Sequence, residues 1–96
     1  MDRKTLLQQR RPEILSLAAR YDVRRIRVFG SVARNQAGAG SDIDFLVEAG
    51  PEVSALDLGG FLVELEQLLG CEVDIVTEKG LRPRIRQRVL DEAVPL

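Results

Sequence analysis

The order of patterns along the chain predicts an α/β fold, a three-stranded mixed sheet with helices packed on it. Three observations carry that prediction: period-two alternation in short runs near 25–29, 42–48 and 72–77, apolar residues at helical spacing between them, and Gly- or Pro-bearing breaks at the junctions. The elements read αβαβαβα within 96 residues, a length that suits one domain over 1–96.

Each element has its own signature. Thr5-Leu6-Leu7-Gln8 has the capping-box pattern, and Leu6, Ile14, Leu17 and Ala18 support a helix over about 5–20. Pro12 inside that span predicts either a kink or a helix that starts at Pro12, and Tyr21-Asp22 ends it. Arg25-Ile26-Arg27-Val28-Phe29 alternates into a first strand, which Gly30-Ser31 closes. Ser31 to Arg34 can make a short helix, and 36–40 (Gln-Ala-Gly-Ala-Gly) reads as a flexible loop. In a second strand, Asp42 to Glu48, the side chains of Ile43, Phe45 and Val47 share one face while Asp42 and Asp44 take the other.

Ala49-Gly50-Pro51 is a turn. A helix over about 54–69 follows, carrying Leu58, Phe61, Leu62, Leu65, Leu68 and Leu69; Gly59-Gly60 weaken it by about 1 kcal/mol each relative to Ala and leave its start open. Gly70 stops it. Glu72 to Thr77 is a third strand, with Val73 and Ile75 opposite Glu72, Asp74 and Val76. Leu81, Ile85 and Val89 then form an apolar stripe on a last helix reaching about Ala93.

Composition narrows the function. The chain has no His, which excludes Ser-His catalysis, His-ligated zinc and His-based ribonuclease chemistry. Cys71 is its single cysteine, so no intrachain disulfide forms; its place before an apolar run marks it as a small core hydrophobe. No signal-length apolar stretch follows Met-Asp-Arg-Lys-Thr, and no segment approaches the ~18 apolar residues of a membrane span. The expectation is a cytoplasmic protein without membrane contact. A net charge of −1 gives no global pull toward nucleic acid, and no direct nucleic-acid binding is expected. The charge is nonetheless uneven: twelve of the fourteen basic residues are Arg, clustered at 3–34 and 82–88.

The chemistry concentrates in one spacing: Gly30-Ser31, ten residues, then Asp42-Ile43-Asp44. A Gly-Ser turn between a strand and a helix presents backbone N–H groups to a phosphate, and the Ser31 hydroxyl can donate to an oxygen. Arg34, one turn on, can add a charge-assisted contact, or it is a surface side chain. Two carboxylates at i and i+2 on a strand can hold a divalent cation, and Asp74 holds a similar position on a later strand. Glu72 shares the face of Asp74, so the third carboxylate stays open at this level. Like charges so placed repel unless a proton or cation intervenes, and Mg²⁺ favours one or two carboxylates plus phosphate oxygens. Taken singly, Ser31 reads as an N-cap, Asp-x-Asp as a solvated strand end, and Asp91-Glu92 as a solvated pair. The run Arg82, Arg84, Arg86 and Arg88 is either a solvated basic helix or an electropositive surface for a partner or the nucleotide.

G-S-x10-D-x-D followed by E-V-D-I-V resembles the minimal nucleotidyltransferase domain of the DNA polymerase beta superfamily. The likeness extends over "YDVRRIRVFGSVARNQAGAGSDIDFLVE", "LEQLLGCEVDIVTEKGL" and "RPRIRQRVLDEAVPL", nearly the whole chain. It implies the small nucleotidyltransferase fold, Gly30 and Ser31 at the triphosphate, and Asp42, Asp44 and Asp74 as catalytic carboxylates and Mg²⁺ ligands, with two metal sites possible. Asp74 is then the carboxylate that helps activate the acceptor hydroxyl. Family members commonly have Gly where this chain has Asn35, a residue that tolerates left-handed backbone.

The resemblance further implies an antitoxin paired with a HEPN-domain ribonuclease toxin in a hetero-oligomer, transferring AMP from ATP to a toxin tyrosine. Two other readings stand beside it. One is a non-catalytic binding module that neutralises its partner by steric occlusion. The other is an enzyme acting on a small hydroxylated acceptor such as an aminoglycoside, which the short chain disfavours unless a dimer completes the pocket.

Overall fold

The computed structural model describes residues 1–38 and 40–96; of the loop expected at 36–40, Ala39 lies outside the described residues. Helix α1 runs Arg3–Arg20. Its N-cap is Asp2, whose carboxylate accepts from the Thr5 N–H at 2.8 Å, so the helix begins before the Thr5 pattern expected to cap it. It also continues across Pro12 rather than starting there. Proline withdraws one donor from the Gln8 carbonyl, but Gln8 and Pro12 are both exposed and water can replace the bond. Leu7, Ile14, Leu17 and Ala18 make the buried side of the helix.

Strand β1 (Val23–Phe29) leads directly into α2 (Gly30–Ala33), and β2 (Ile43–Ala49) returns beside β1. Helix α3 (Ala55–Leu69) starts ahead of Gly59-Gly60 because Ser54 and Asp57 form a reciprocal capping box, with bonds of 2.9 and 3.1 Å. Gly70, at φ +69°, ends it in the left-handed conformation. Strand β3 (Val73–Thr77), helix α4 (Pro83–Glu92) and a two-residue strand β4 (Val94–Pro95) complete the chain.

The sheet order is β3-β2-β1-β4. β1 is antiparallel to both β2 and β4, while β2 and β3 are parallel, so the sheet is mixed. To the three expected strands the chain adds β4, in which Val94 pairs with Val28 and Pro95 with Arg27 at the sheet edge. Proline is tolerated there because an edge strand has one side free of ladder bonds.

Alternation along the strands divides the core. Ile26, Val28, Ile43, Phe45, Val47 and Val73 face α1 and α3 and meet Ile14, Leu17, Phe61 and Leu65. Cys71, partly buried, packs against the edge of this cluster, and burial pushes its thiol up. The opposite face holds a smaller cluster, Leu46, Leu81 and Val89, joined by Phe29, Val76, Leu90 and Ala93. Leu81 and Val89 are buried but Ile85 is 45% exposed, so the stripe expected on α4 reaches the sheet only at its ends. Arg27 also lies on this face, almost fully buried and paired with Glu78. Its Nε is buried without a hydrogen-bond partner among the described residues.

Candidate active site

The site begins where β1 becomes α2. Gly30 has φ +71°, a backbone that favours glycine. Space makes the same demand: a Cβ at Gly30 would overlap Asp44 Oδ2 and lie 3.1 Å from Asp44 Cγ. The carboxylate of Asp44 therefore sits directly against the Gly30 turn. Phe29, not Ser31, occupies the N-cap position and supplies no capping side chain. Ser31 is half-buried inside the first turn, which removes the N-cap explanation for it. With four residues, α2 has little macrodipole; what it offers an anion is its unpaired first-turn N–H groups. Asn35 follows at φ +59°, the left-handed conformation that glycine would supply.

The carboxylates come from two neighbouring strands. Asp44 pairs in register with Phe29 on one side and Asp74 on the other, so Asp44 and Asp74 project from the same face on adjacent parallel strands. That register chooses Asp74 over Glu72: both are exposed, but Glu72 precedes β3 and takes part in the sheet through its carbonyl, accepting from Ile43 N at 3.1 Å. Asp42, expected on the strand, lies one residue before it and is exposed.

Burial raises the Asp44 carboxyl above the usual carboxylate range, and the charges of Asp74 and Asp42 push it further, against the pull of Arg34. Among the described residues, no three His, Cys, Asp or Glu side chains form a ready cation cage. Mg²⁺ fits such a place, since it needs only one or two carboxylates with water and phosphate completing the shell. Asp44, with Asp42 or Asp74, supplies the hard oxygen donors for it.

Arg34 is the C-cap of α2, and its guanidinium is held on two sides. Nη1 donates to Glu92 at the end of α4, and Nε donates to Gln36 Oε1 at 3.1 Å. Sequence reasoning set Glu92 aside with Asp91 as solvated. Asp91 is exposed and accepts from Gln87 Nε2 at 2.8 Å, but the Glu92 side chain is only 15% exposed. The signal that could have found it is the stripe itself: Glu92 is three residues beyond buried Val89, on the same side of α4. Arg82, Arg84, Arg86 and Arg88 are all exposed and make no ion pair among the described residues.

A mixed sheet with a glycine turn closing one strand, and paired aspartates on the next two, is the arrangement of the small nucleotidyltransferase fold. A family model described as a nucleotidyltransferase domain matches residues 12–96, and the chain belongs to that family; nucleotidyl transfer is its reaction class. A Methanocaldococcus jannaschii protein named for protein adenylyltransfer is 44% identical over 82 residues, 85% of this chain and 88% of its own length. A solved structure described as a minimal nucleotidyltransferase superposes with a TM-score of 0.87 at 50% identity, covering 100% of this chain and 97% of that one. A toxin–antitoxin structure solved with AMP-PNP gives 0.74 at 22% identity, over 88% of this chain and 69% of that one, a likeness of fold. No helix among the described residues is long and apolar enough to cross a membrane.

Proposed function

We propose that residues 1–96 work as one Mg²⁺-dependent adenylyltransferase domain that transfers AMP from ATP to a hydroxyl, a tyrosine in this reading, of a HEPN-type toxin in the cytoplasm. The chain then acts as the antitoxin within a hetero-oligomer. What supports the chemistry is one observation: the Asp44 carboxylate lies against the Gly30 turn while sharing a rung with Asp74. A triphosphate at Gly30-Ser31 would meet the carboxylates without either element moving. The adenylyl acceptor class is supported by the Methanocaldococcus relative's name, and the toxin pairing by the toxin–antitoxin fold neighbour.

In this reading Asp42, Asp44 and Asp74 hold Mg²⁺, which would neutralise phosphate charge and favour departure of pyrophosphate. Gly30 lets the phosphate chain approach the backbone, the Ser31 hydroxyl donates to an oxygen, and Arg34 adds a cation. The acceptor oxygen bonds to the α-phosphorus, the bond from α-phosphorus to the bridging oxygen breaks, and pyrophosphate leaves. Asp74 receives the hydroxyl proton.

The decisive experiment incubates the chain with ATP, Mg²⁺ and a HEPN-type candidate partner, and measures the partner's intact mass. The expected result is a gain of one or more AMP units, abolished by Asp44→Asn and by chelation. A partner that is silenced at unchanged mass and without ATP would establish steric occlusion instead. Labelling of a small hydroxylated acceptor but not the protein would move the acceptor class.

A further inference from the structure

The ion pair between α2 and α4 joins the candidate site to an element that the sequence motif does not include. Arg34 carries five N–H donors in a planar fork. Its Nε is committed to Gln36 and its Nη1 to Glu92, while Nη2 has no hydrogen-bond partner among the described residues. Contacts at Nε and Nη1, on two different sides of a planar group, set its orientation, so the unused Nη2 donors between them have a defined direction. Glu92 is well placed to impose this. It is the more buried partner, and Val89, Leu90 and Ala93 around it pack into the cluster with Phe29 and Leu46. Glu92 is also close enough to act electrostatically on the carboxyl of Asp44.

From this geometry we infer that Glu92 is a positioning residue for nucleotide binding: it holds the Arg34 guanidinium so that the Nη2 donors are free to take a phosphate oxygen of the triphosphate. The inference rests on the adenylyltransferase reading in placing a triphosphate at Gly30-Ser31. It adds a requirement that reading lacks. Glu92 brings a further negative charge to a carboxylate-rich place, so its direct effect on a triphosphate is repulsive. Only its hold on Arg34 makes it helpful, and the two effects have opposite signs.

The test measures ATP affinity with Mg²⁺ by calorimetry, together with KM and kcat, in wild type, Glu92→Gln, Glu92→Asp, Arg34→Gln and the Arg34→Gln/Glu92→Gln double variant. Glu92→Gln is expected to weaken ATP binding several-fold and raise KM to match, with kcat nearly unchanged. Glu92→Asp, which keeps the charge, should recover part of the loss. In the Arg34→Gln background the second substitution should do nothing further, because both act through one contact.

Tighter ATP binding in Glu92→Gln, or a full additional loss in the double variant, overturns the inference. A lower melting temperature with unchanged ATP affinity also overturns it, assigning Glu92 to the fold alone. Wild type that binds ATP while Arg34→Gln binds equally well refutes this inference and spares the enzymatic reading. Wild type that binds no ATP refutes both.

Discussion

The two faces of the sheet are built from the same strands and have almost opposite contents. Toward α1 and α3, every inward position from Ile26 to Val73 is apolar, and Ile43, Phe45 and Val47 are fully buried. Toward α4, the same strands present Asp44, Asp74 and Arg27 with only a small apolar cluster between them. One face is packed without polar groups; the other carries charged groups that run from buried Arg27 through half-buried Asp44 to exposed Asp74, and leaves Arg27 incompletely paired. The difference shows a division of labour at single-residue resolution. Residues 43 and 45 hold the fold, while residue 44, between them, carries a half-buried carboxylate at a cost to stability, and it is the residue that the proposed chemistry uses.

The strongest test of that division is Phe45→Ala. Removing a fully buried aromatic side chain should cost about 3–5 kcal/mol, a large part of the roughly 5–15 kcal/mol that holds a domain together. Chemical denaturation should show it, and the remaining transfer activity should follow the folded fraction alone. An effect within 1 kcal/mol (about a tenth of typical domain stability) would mean the two faces are not distinct in this way.

Gly30→Ala should be next. A side chain at φ +71° costs about 1–2 kcal/mol from backbone strain, and the new Cβ must displace the Asp44 carboxylate. Both stability and transfer should fall, with transfer losing more than the folded fraction explains.

Asp44→Asn has the smallest expected effect on stability, with the opposite sign. The Asp44 carboxyl titrates above its usual range, so between about pH 3.9 and its raised value the folded state binds more protons than the unfolded state. Stability therefore falls as pH rises through that window and stays reduced above it. Asp44→Asn removes the loss: its melting temperature at pH 7 should rise slightly, its stability should flatten across the window, and its transfer activity should vanish. Mg²⁺ should stabilise wild type more than the variant. A variant that melts lower at pH 7 would show that the second face is also built for stability.

Much of this was legible in the sequence because the signals were local. Alternation placed β1 and β2 to within one or two residues, Gly70 ended α3, and the strand faces separated Phe45 from Asp44 correctly. The tolerance of Asn35 for left-handed backbone was equally readable. What was missed depends on what covers what. Two residues, one of them proline, carry no period, so β4 had no signature. Arg27 alternates like a solvated strand residue, and nothing local announces that it will be almost fully buried on the face that α4 also covers. Glu92 left only a faint trace, three residues past Val89 of the stripe. Its role follows from where α4 lands, and the exposed Ile85 shows that the helix does not lie along the stripe its sequence suggests.

The pairing of Phe29 with Asp44 gives the ten-residue interval of the motif a mechanical meaning. The chain leaves the sheet at one rung and returns to that rung, so the glycine turn and the aspartate stay neighbours whatever the excursion does between them. An interval closed at both ends by a ladder is insensitive to its own length, since doubling such a loop costs only about 0.6 kcal/mol. The spacing is thus a circumference rather than a ruler: the sheet fixes the distance, and the intervening chain has only to come back.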